Sequence, residues 1–308
     1  MRIEDILNSE EIMIIEEVEE GWSEDKKFYI QLFSGAEYLL RKSKLDTFSR
    51  KVNEFDTVKK LYEAGLPVSE PLDIKGVDDE VYFLFRWLEG TDAVNRLRVL
   101  SEKEQYCLGL ESGEILKKIH ELEVDSKEIE EWGTVFQRKI ERNITRYQSS
   151  GLTYEDDLFF LDAVEEYKHL IENRPQTFQH GDYHIGNMLL TDENELGIID
   201  FNRWDYGDPW EEFNRIDFTA EISEVFATGQ LNAYFEGRPP QDFFELLLFY
   251  ISVNTLGALP WALEYSEKEI QTMRDKAEKV QSWYKTADSV VPSFYDEGLL
   301  EKYGLKSL

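Results

Sequence analysis

The sequence predicts an α+β fold, with a β-rich N-terminal lobe over residues 1–88 and a mainly α-helical C-terminal lobe over residues 89–308. Three observations carry this. Apolar runs with turn signals between them crowd the first part of the chain. One helical pattern interrupts them, so the order is strands, a helix, then more strands. After "LEGTDA", which contains Gly90, the apolar spacing becomes helical nearly to the end.

The elements follow in order. "KFYIQLF" and "EYLLRKS" are separated by "SGA", which reads as a hairpin. From Thr47, the residues Phe48, Val52, Phe55, Val58 and Leu61 recur at helical spacing, and Gly65 and Pro67 stop that helix. "PLDIKG" and "VYFLFRW" flank the acidic turn "VDDE". "YCLGLESGEILKKIHEL" and "DDLFFLDAVEEYKHLIEN" read as helices, with Cys107 a packed core thiol in the first. A strand–loop–strand element follows, whose second strand is "LGIIDF". "SEKEIQTMRDKAEKVQSWY" opens with a capping box, Ser266 and Glu269, and turns Ile270, Met273, Val280 and Trp283 inward.

Composition narrows the function. The 308 residues carry 64 acidic and 34 basic side chains, a net charge of −30, which opposes binding to nucleic acid and anionic membranes and favours cationic partners. Hydrophobic residues at 42% and aromatics at 14% suit a globular chain. The single cysteine excludes an intrachain disulfide and a cysteine-rich zinc site. The most apolar run, "FFELLLFYISV", is too short to span a bilayer, and the acidic N-terminus lacks a signal-peptide apolar region. A soluble cytoplasmic protein is expected.

The chemistry centres on "QHGDYHIGNMLL", from Gln179. Phosphoryl transfer needs a base for the acceptor hydroxyl, oxygen ligands for magnesium and a cation for the phosphates. The stretch "HGDYHIGN" places Asp182 five residues before Asn187, as a kinase catalytic loop does, making Asp182 the base candidate and Asn187 a magnesium ligand. The hairpin that follows ends its apolar strand at Asp200. A carboxylate there is costly unless a cation or hydrogen bonds hold it, so Asp200 is the second metal candidate. A different reading aims His180, Asp182 and His184 at one metal of a hydrolase, although established zinc spacings differ. His180 and His184 then read better as scaffolding for the loop.

"HGDYHIGNML" followed by "IIDFNRWDYGDPWEEF" resembles the aminoglycoside phosphotransferase family, whose protein-kinase-like bilobal fold is shared with choline kinases. The resemblance covers most of the chain and is weaker in the first lobe, where "GWSEDKKFYI" and "YLLR" carry it. It implies a Mg2+-dependent kinase using ATP or GTP, acting on a small cationic, aminoglycoside-like acceptor, with antibiotic resistance as the associated role.

The rest of the site follows from that resemblance. The phosphate-gripping cation falls on "YLLRKSK". Adjacent strand residues face opposite ways, so only one of Arg41 and Lys42 points inward, and the family position selects Arg41. Glu54, at the edge of the helix's apolar stripe, is its expected partner. Ser23, beside Gly21, lies in the nucleotide-covering segment, and Trp87 and Glu89 lie in "FRWLEG", where adenine is expected. Asp205, Glu211, Glu212 and Glu264 are the acceptor candidates, while Asp208 before Pro209 reads as a helix cap. Three readings stay open beside the aminoglycoside-type kinase: a kinase for choline or another metabolite, a metal-dependent hydrolase, and a nucleotide-binding protein without catalysis.

Overall fold

The computed structural model describes residues 11–18, 25–122, 129–285 and 290–305. These fall into two units. The first holds residues up to Thr91 together with Met188–Asn202, and the second holds Asp92–Asn187 and Arg203–Leu308. The hairpin after Asn187 thus belongs to the first unit.

The first unit is built on an antiparallel sheet of five strands in the order β1-β2-β3-β5-β4: β1 (Ile12–Val18), β2 (Lys26–Leu32), β3 (Glu37–Lys44), β4 (Pro71–Val77) and β5 (Glu80–Arg86). The expected β2–β3 hairpin is closed by Gly35 N–H donating to the Leu32 carbonyl at 2.9 Å. Strand alternation then sorts the side chains. Ile30, Leu40, Tyr82 and Leu84 form a buried cluster on one face. Arg41 pairs across the ladder with Phe83, so it turns to the other face. Helix α1 (Phe48–Glu63) covers that face with Phe55, Val58 and Leu61, and Phe55 meets Phe85 at 5.6 Å.

The second unit is mostly helical: α2 (Ala93–Leu97), α3 (Glu102–His120), α4 (Trp132–Ser149), α5 (Leu158–Tyr167), α6 (Ile216–Ile222), α7 (Glu224–Tyr234), α8 (Gln241–Ala262), α9 (Glu267–Tyr284) and α10 (Glu297–Tyr303). Helix α3 starts at a complete capping box from Ser101 and Glu104. It crosses α7 so closely that a Cβ on Gly109 would lie 2.2 Å from the Phe226 carbonyl oxygen, and one on Gly113 would lie 2.2 Å from that of Gln230. Cys107 is buried in α3, as expected. At α9 the Ser266 side chain accepts from Glu269 N–H, and Ile270, Val280 and Trp283 are buried, while Met273 is only half-buried.

One expectation is corrected here. "FFELLLFYISV" is the middle of α8, which with 22 residues is long and apolar enough to cross a membrane by length and composition. It is mostly buried inside the second unit instead, packed against α4, α5 and α9.

Candidate active site

The loop after the short strand Thr177–Gln179 is held at nearly every turn. That strand pairs antiparallel with Asp205–Gly207. Gly181 follows at φ +82°, where a Cβ would sit 2.0 Å from the Arg203 carbonyl oxygen, so no other residue fits. The buried Glu212 carboxylate accepts N–H bonds from Gly181 at 3.0 Å and Tyr183 at 3.3 Å. The Tyr183 hydroxyl donates to the Ser112 carbonyl at 2.8 Å, and Ile185 N–H donates to Thr219 Oγ1 at 3.1 Å. Asn187 closes the loop by donating from its amide nitrogen to the Asp182 carbonyl at 2.8 Å.

Asp182 stands inside this frame beside two arginines and a histidine. Arg203 Nη1 and Arg215 Nε each lie 3.4 Å from its carboxylate, and His184 Nε2 lies at 3.7 Å. Burial pushes the carboxyl up, but the charges around it, Arg215 foremost with Arg203, outweigh it and hold it below the usual range. Burial also lowers His184 to about 4, with Arg215 adding to the shift, so its ring is neutral near pH 7. Asp182 Oδ1 is buried with no hydrogen-bond partner among the described residues. An ionised carboxylate can accept the hydrogen bond of a hydroxyl and its proton.

Both loop histidines have their Nδ1 engaged by the backbone. His180 accepts from Asp182 N–H at 3.2 Å, and His184 accepts from Gly186 N–H at 3.1 Å. They scaffold the loop as expected. Among the described residues no group of three or more His, Cys, Asp or Glu side chains is placed to hold a metal ion. The amide oxygen of Asn187 and the carboxylate of Asp200 are hard oxygen donors, the chemistry magnesium prefers. Asn187's amide nitrogen is already committed to Asp182, which leaves its oxygen for another partner.

In the first unit, Asp200 takes φ +70°, a conformation rare outside glycine, and Asn202 Nδ2 donates to its Oδ1 at 2.6 Å. The expected Arg41–Glu54 ion pair is present, with Nη1 to Oε1 at 2.5 Å and both side chains buried. Burial opposes the charge on Arg41, but Glu54, Asp25 and, more weakly, Asp200 overcome it and raise its pKa. Lys42 turns to the other face and pairs with Glu80 at 2.6 Å, as strand alternation requires. Trp87 stacks edge-on with Tyr29 at 4.9 Å, and Glu89 is exposed. Ser23 and Gly21 lie outside the described residues.

The acceptor candidates need correction. Glu212 is 2% exposed and anchors the Asp182 loop, so it lines no pocket. Glu211 is also buried, with Lys139 Nζ at 2.7 Å. Glu264 is exposed and pairs with Arg146 at 2.6 Å, and Asp205 is exposed at a strand start. Asp208 caps Trp210 N–H at 3.0 Å, as expected for a cap, but it is also fully buried in a two-pronged pair with Arg174 at 2.6 and 3.0 Å.

Four residues escaped the sequence reading. Arg203 comes three residues after Asp200, a position that could have flagged it. Arg215, Asp25 and Lys51 gave no signal, because their roles depend on contacts distant in sequence.

Comparisons with known proteins agree with this picture. A family model described as "Phosphotransferase enzyme family" matches residues 14–244. A search of curated proteins finds no match. Among solved structures, aminoglycoside phosphotransferase APH(4)-Ia in a ternary complex with ADP and hygromycin B is 19% identical, with a TM-score of 0.65 over 93% of this chain and 100% of that one. Amicoumacin kinase hAmiN in complex with AMP-PNP, Ca2+ and Ami is 13% identical, with a TM-score of 0.64 over 97% of each chain. ADP-bound APH(2'')-Ib is 16% identical, with a TM-score of 0.62 over 95% of this chain and 97% of that one. At these identities the likeness establishes the kinase-like fold.

Proposed function

Because the chain belongs to the phosphotransferase enzyme family, as a small-molecule kinase acting on hydroxyl acceptors, we propose that it transfers the γ-phosphate of ATP or GTP, with Asp182 as the base partner of the acceptor hydroxyl. The observation that carries this is the Asp182 carboxylate, held ionised between Arg203 and Arg215 in a loop fixed by Glu212.

Asp182 accepts the hydroxyl's hydrogen bond and orients the oxygen toward the γ-phosphorus; as the new P–O bond forms, the bond from the γ-phosphorus to the β,γ-bridging oxygen breaks, the nucleoside diphosphate leaves, and the hydroxyl proton passes to the Asp182 carboxylate. Glu212, His180 and Tyr183 keep the loop in place, so that little reorganisation is needed at the moment of transfer. Arg41, fixed by Glu54, contacts the α- and β-phosphates. Asn187 and Asp200 would hold magnesium, which when bound neutralises phosphate charge. The adenine or guanine end is assigned to the Trp87–Glu89 segment, and Ser23 to the phosphate-covering segment.

The acceptor is proposed to be a small cationic, aminoglycoside-like molecule in the cytoplasm. Support comes from the net charge of −30 and from neighbours solved with hygromycin B or Ami. Asp205 and Glu264 remain as its exposed carboxylates. A choline or metabolite kinase differs only in the acceptor. The hydrolase reading loses weight because Nδ1 of both His180 and His184 accepts from the loop backbone. A phosphate-transfer screen over aminoglycosides, other antibiotics, choline and sugar-like metabolites tests the proposal. Phosphorylated product from one class supports it, and nucleotide binding without transfer to any acceptor contradicts it.

A further inference from the structure

In the first unit, Asp25 stands where three donors converge. Arg41 Nη2 lies 2.5 Å and Lys51 Nζ 2.7 Å from its Oδ2, and Ser43 Oγ donates to its Oδ1. Lys51 is 1% exposed, lies 3.1 Å from Glu54 Oε2 and sits over the Phe83 ring beside Arg41. Two cations and two carboxylates thus form a buried quartet that is formally neutral. Burial pushes the Asp25 carboxyl up, yet Arg41, Lys51 and Ser43 hold it below the usual range, so it is an anion. Arg41 Nε, also buried, has no hydrogen-bond partner among the described residues.

A neutral quartet is a poor site for a polyanion, yet its donors are those a phosphate group needs: a planar guanidinium and an ammonium side by side. Resting on the nucleotide-donor reading above, we infer that Lys51 is a second phosphate-binding cation beside Arg41, and that the Asp25 carboxylate holds the place of a phosphate until the nucleotide displaces it. Binding then exchanges one anion for another across Arg41 and Lys51, while Glu54 keeps both cations oriented. Moving Asp25 aside leaves the remaining three groups with a net positive charge.

The experiment titrates wild type, Lys51→Met, Lys51→Arg, Asp25→Asn and Ser43→Ala with Mg·AMP-PNP, with inorganic tripolyphosphate and with adenosine. Loss of a charged hydrogen bond of about 1.5–3 kcal/mol corresponds to a weakening of about tenfold to a hundredfold. That loss is expected in Lys51→Met for AMP-PNP and tripolyphosphate alike, with adenosine unchanged and Lys51→Arg restoring much of the affinity. Asp25→Asn should bind both phosphate ligands severalfold more tightly and show a larger ligand-induced rise in Tm, even if its ligand-free Tm falls. Ser43→Ala, which only loosens Asp25's tether, should shift affinity the same way by a smaller factor. Unchanged phosphate affinity in Lys51→Met, or weaker affinity in both Asp25→Asn and Ser43→Ala, overturns the inference while leaving the kinase reading intact. Absence of any nucleotide binding by the wild type overturns both.

Discussion

The carboxylate of Glu212 accepts the backbone N–H of Gly181 at 3.0 Å, one residue before Asp182. Burial pushes this carboxyl up, but His120, His180 and the Gly181 N–H pull it below the usual range, so a charged group anchors the loop. Glu212→Gln should therefore lower kcat by about tenfold to a hundredfold through misplacement of Asp182. Acceptor KM should change little. Steady-state kinetics separate the two parameters, and a rise in KM at constant kcat would return Glu212 to the acceptor.

Asp200→Asn is expected to abolish productive metal–nucleotide binding without unfolding the chain. Asparagine tolerates the left-handed conformation that Asp200 adopts at φ +70°. It lacks the charge that magnesium needs. Titration with Mg·AMP-PNP checks this, and near-normal affinity would remove Asp200 from the metal assignment.

Arg41→Ala and Lys42→Ala should differ sharply although the residues are neighbours. Removing Arg41 leaves Lys51 alone to balance Glu54 and Asp25 in a buried site, at a cost of about 3–5 kcal/mol in stability and a large loss of nucleotide affinity. Lys42 is paired with Glu80 at a partly exposed surface, where such pairs contribute about 0–1 kcal/mol. Urea denaturation and nucleotide titration of both variants test the difference, and equal effects would contradict the assigned strand faces.

Asp217 gives a pH signature. It is buried in α6, and burial raises it from 3.8 to about 6 against the pull of Lys276 and Arg215, with Glu221 adding to the rise. Its Oδ1 has no hydrogen-bond partner among the described residues. With the folded value above the unfolded one, its stabilising contribution is full below pH 3.8 and is lost as pH rises through about 6. Asp217→Asn should thus exceed wild type in stability by about 1–3 kcal/mol above pH 7. The gap should close toward pH 4. Parallel stability–pH curves would show that Asp217 does not titrate in this way.

Strands β2 to β5 and α1 were legible because turn residues and period-two or helical spacing mark each element locally, whereas β1 was not named in advance. Glu54 was legible from the apolar stripe, whereas strand alternation showed only that one of Arg41 and Lys42 points inward, and the family resemblance chose Arg41. The quartet's other members were not. Lys51 looks like a solvent-facing charge on a charged helix, and only the tertiary approach of Asp25 and Phe83 makes it a buried group. Glu211 and Glu212 misled for the converse reason. Two adjacent carboxylates after a metal-site motif suggest a cationic pocket, whereas burial, Lys139 and the Gly181 backbone had already claimed them. Helix α4 was not named in advance because its buried face is a narrow stripe of Trp132, Phe136, Ile140 and Tyr147 in a polar sequence.

The most direct test of the central claim is transfer of labelled γ-phosphate from ATP and GTP to the acceptor panel by wild type and Asp182→Asn, with Mg·AMP-PNP affinity measured in parallel. The account predicts a phosphorylated acceptor from wild type. It predicts nucleotide affinity within a fewfold in the variant and turnover lower by about a hundredfold to ten-thousandfold. Near-normal transfer by Asp182→Asn, or wild type releasing only free phosphate with every acceptor, would contradict it.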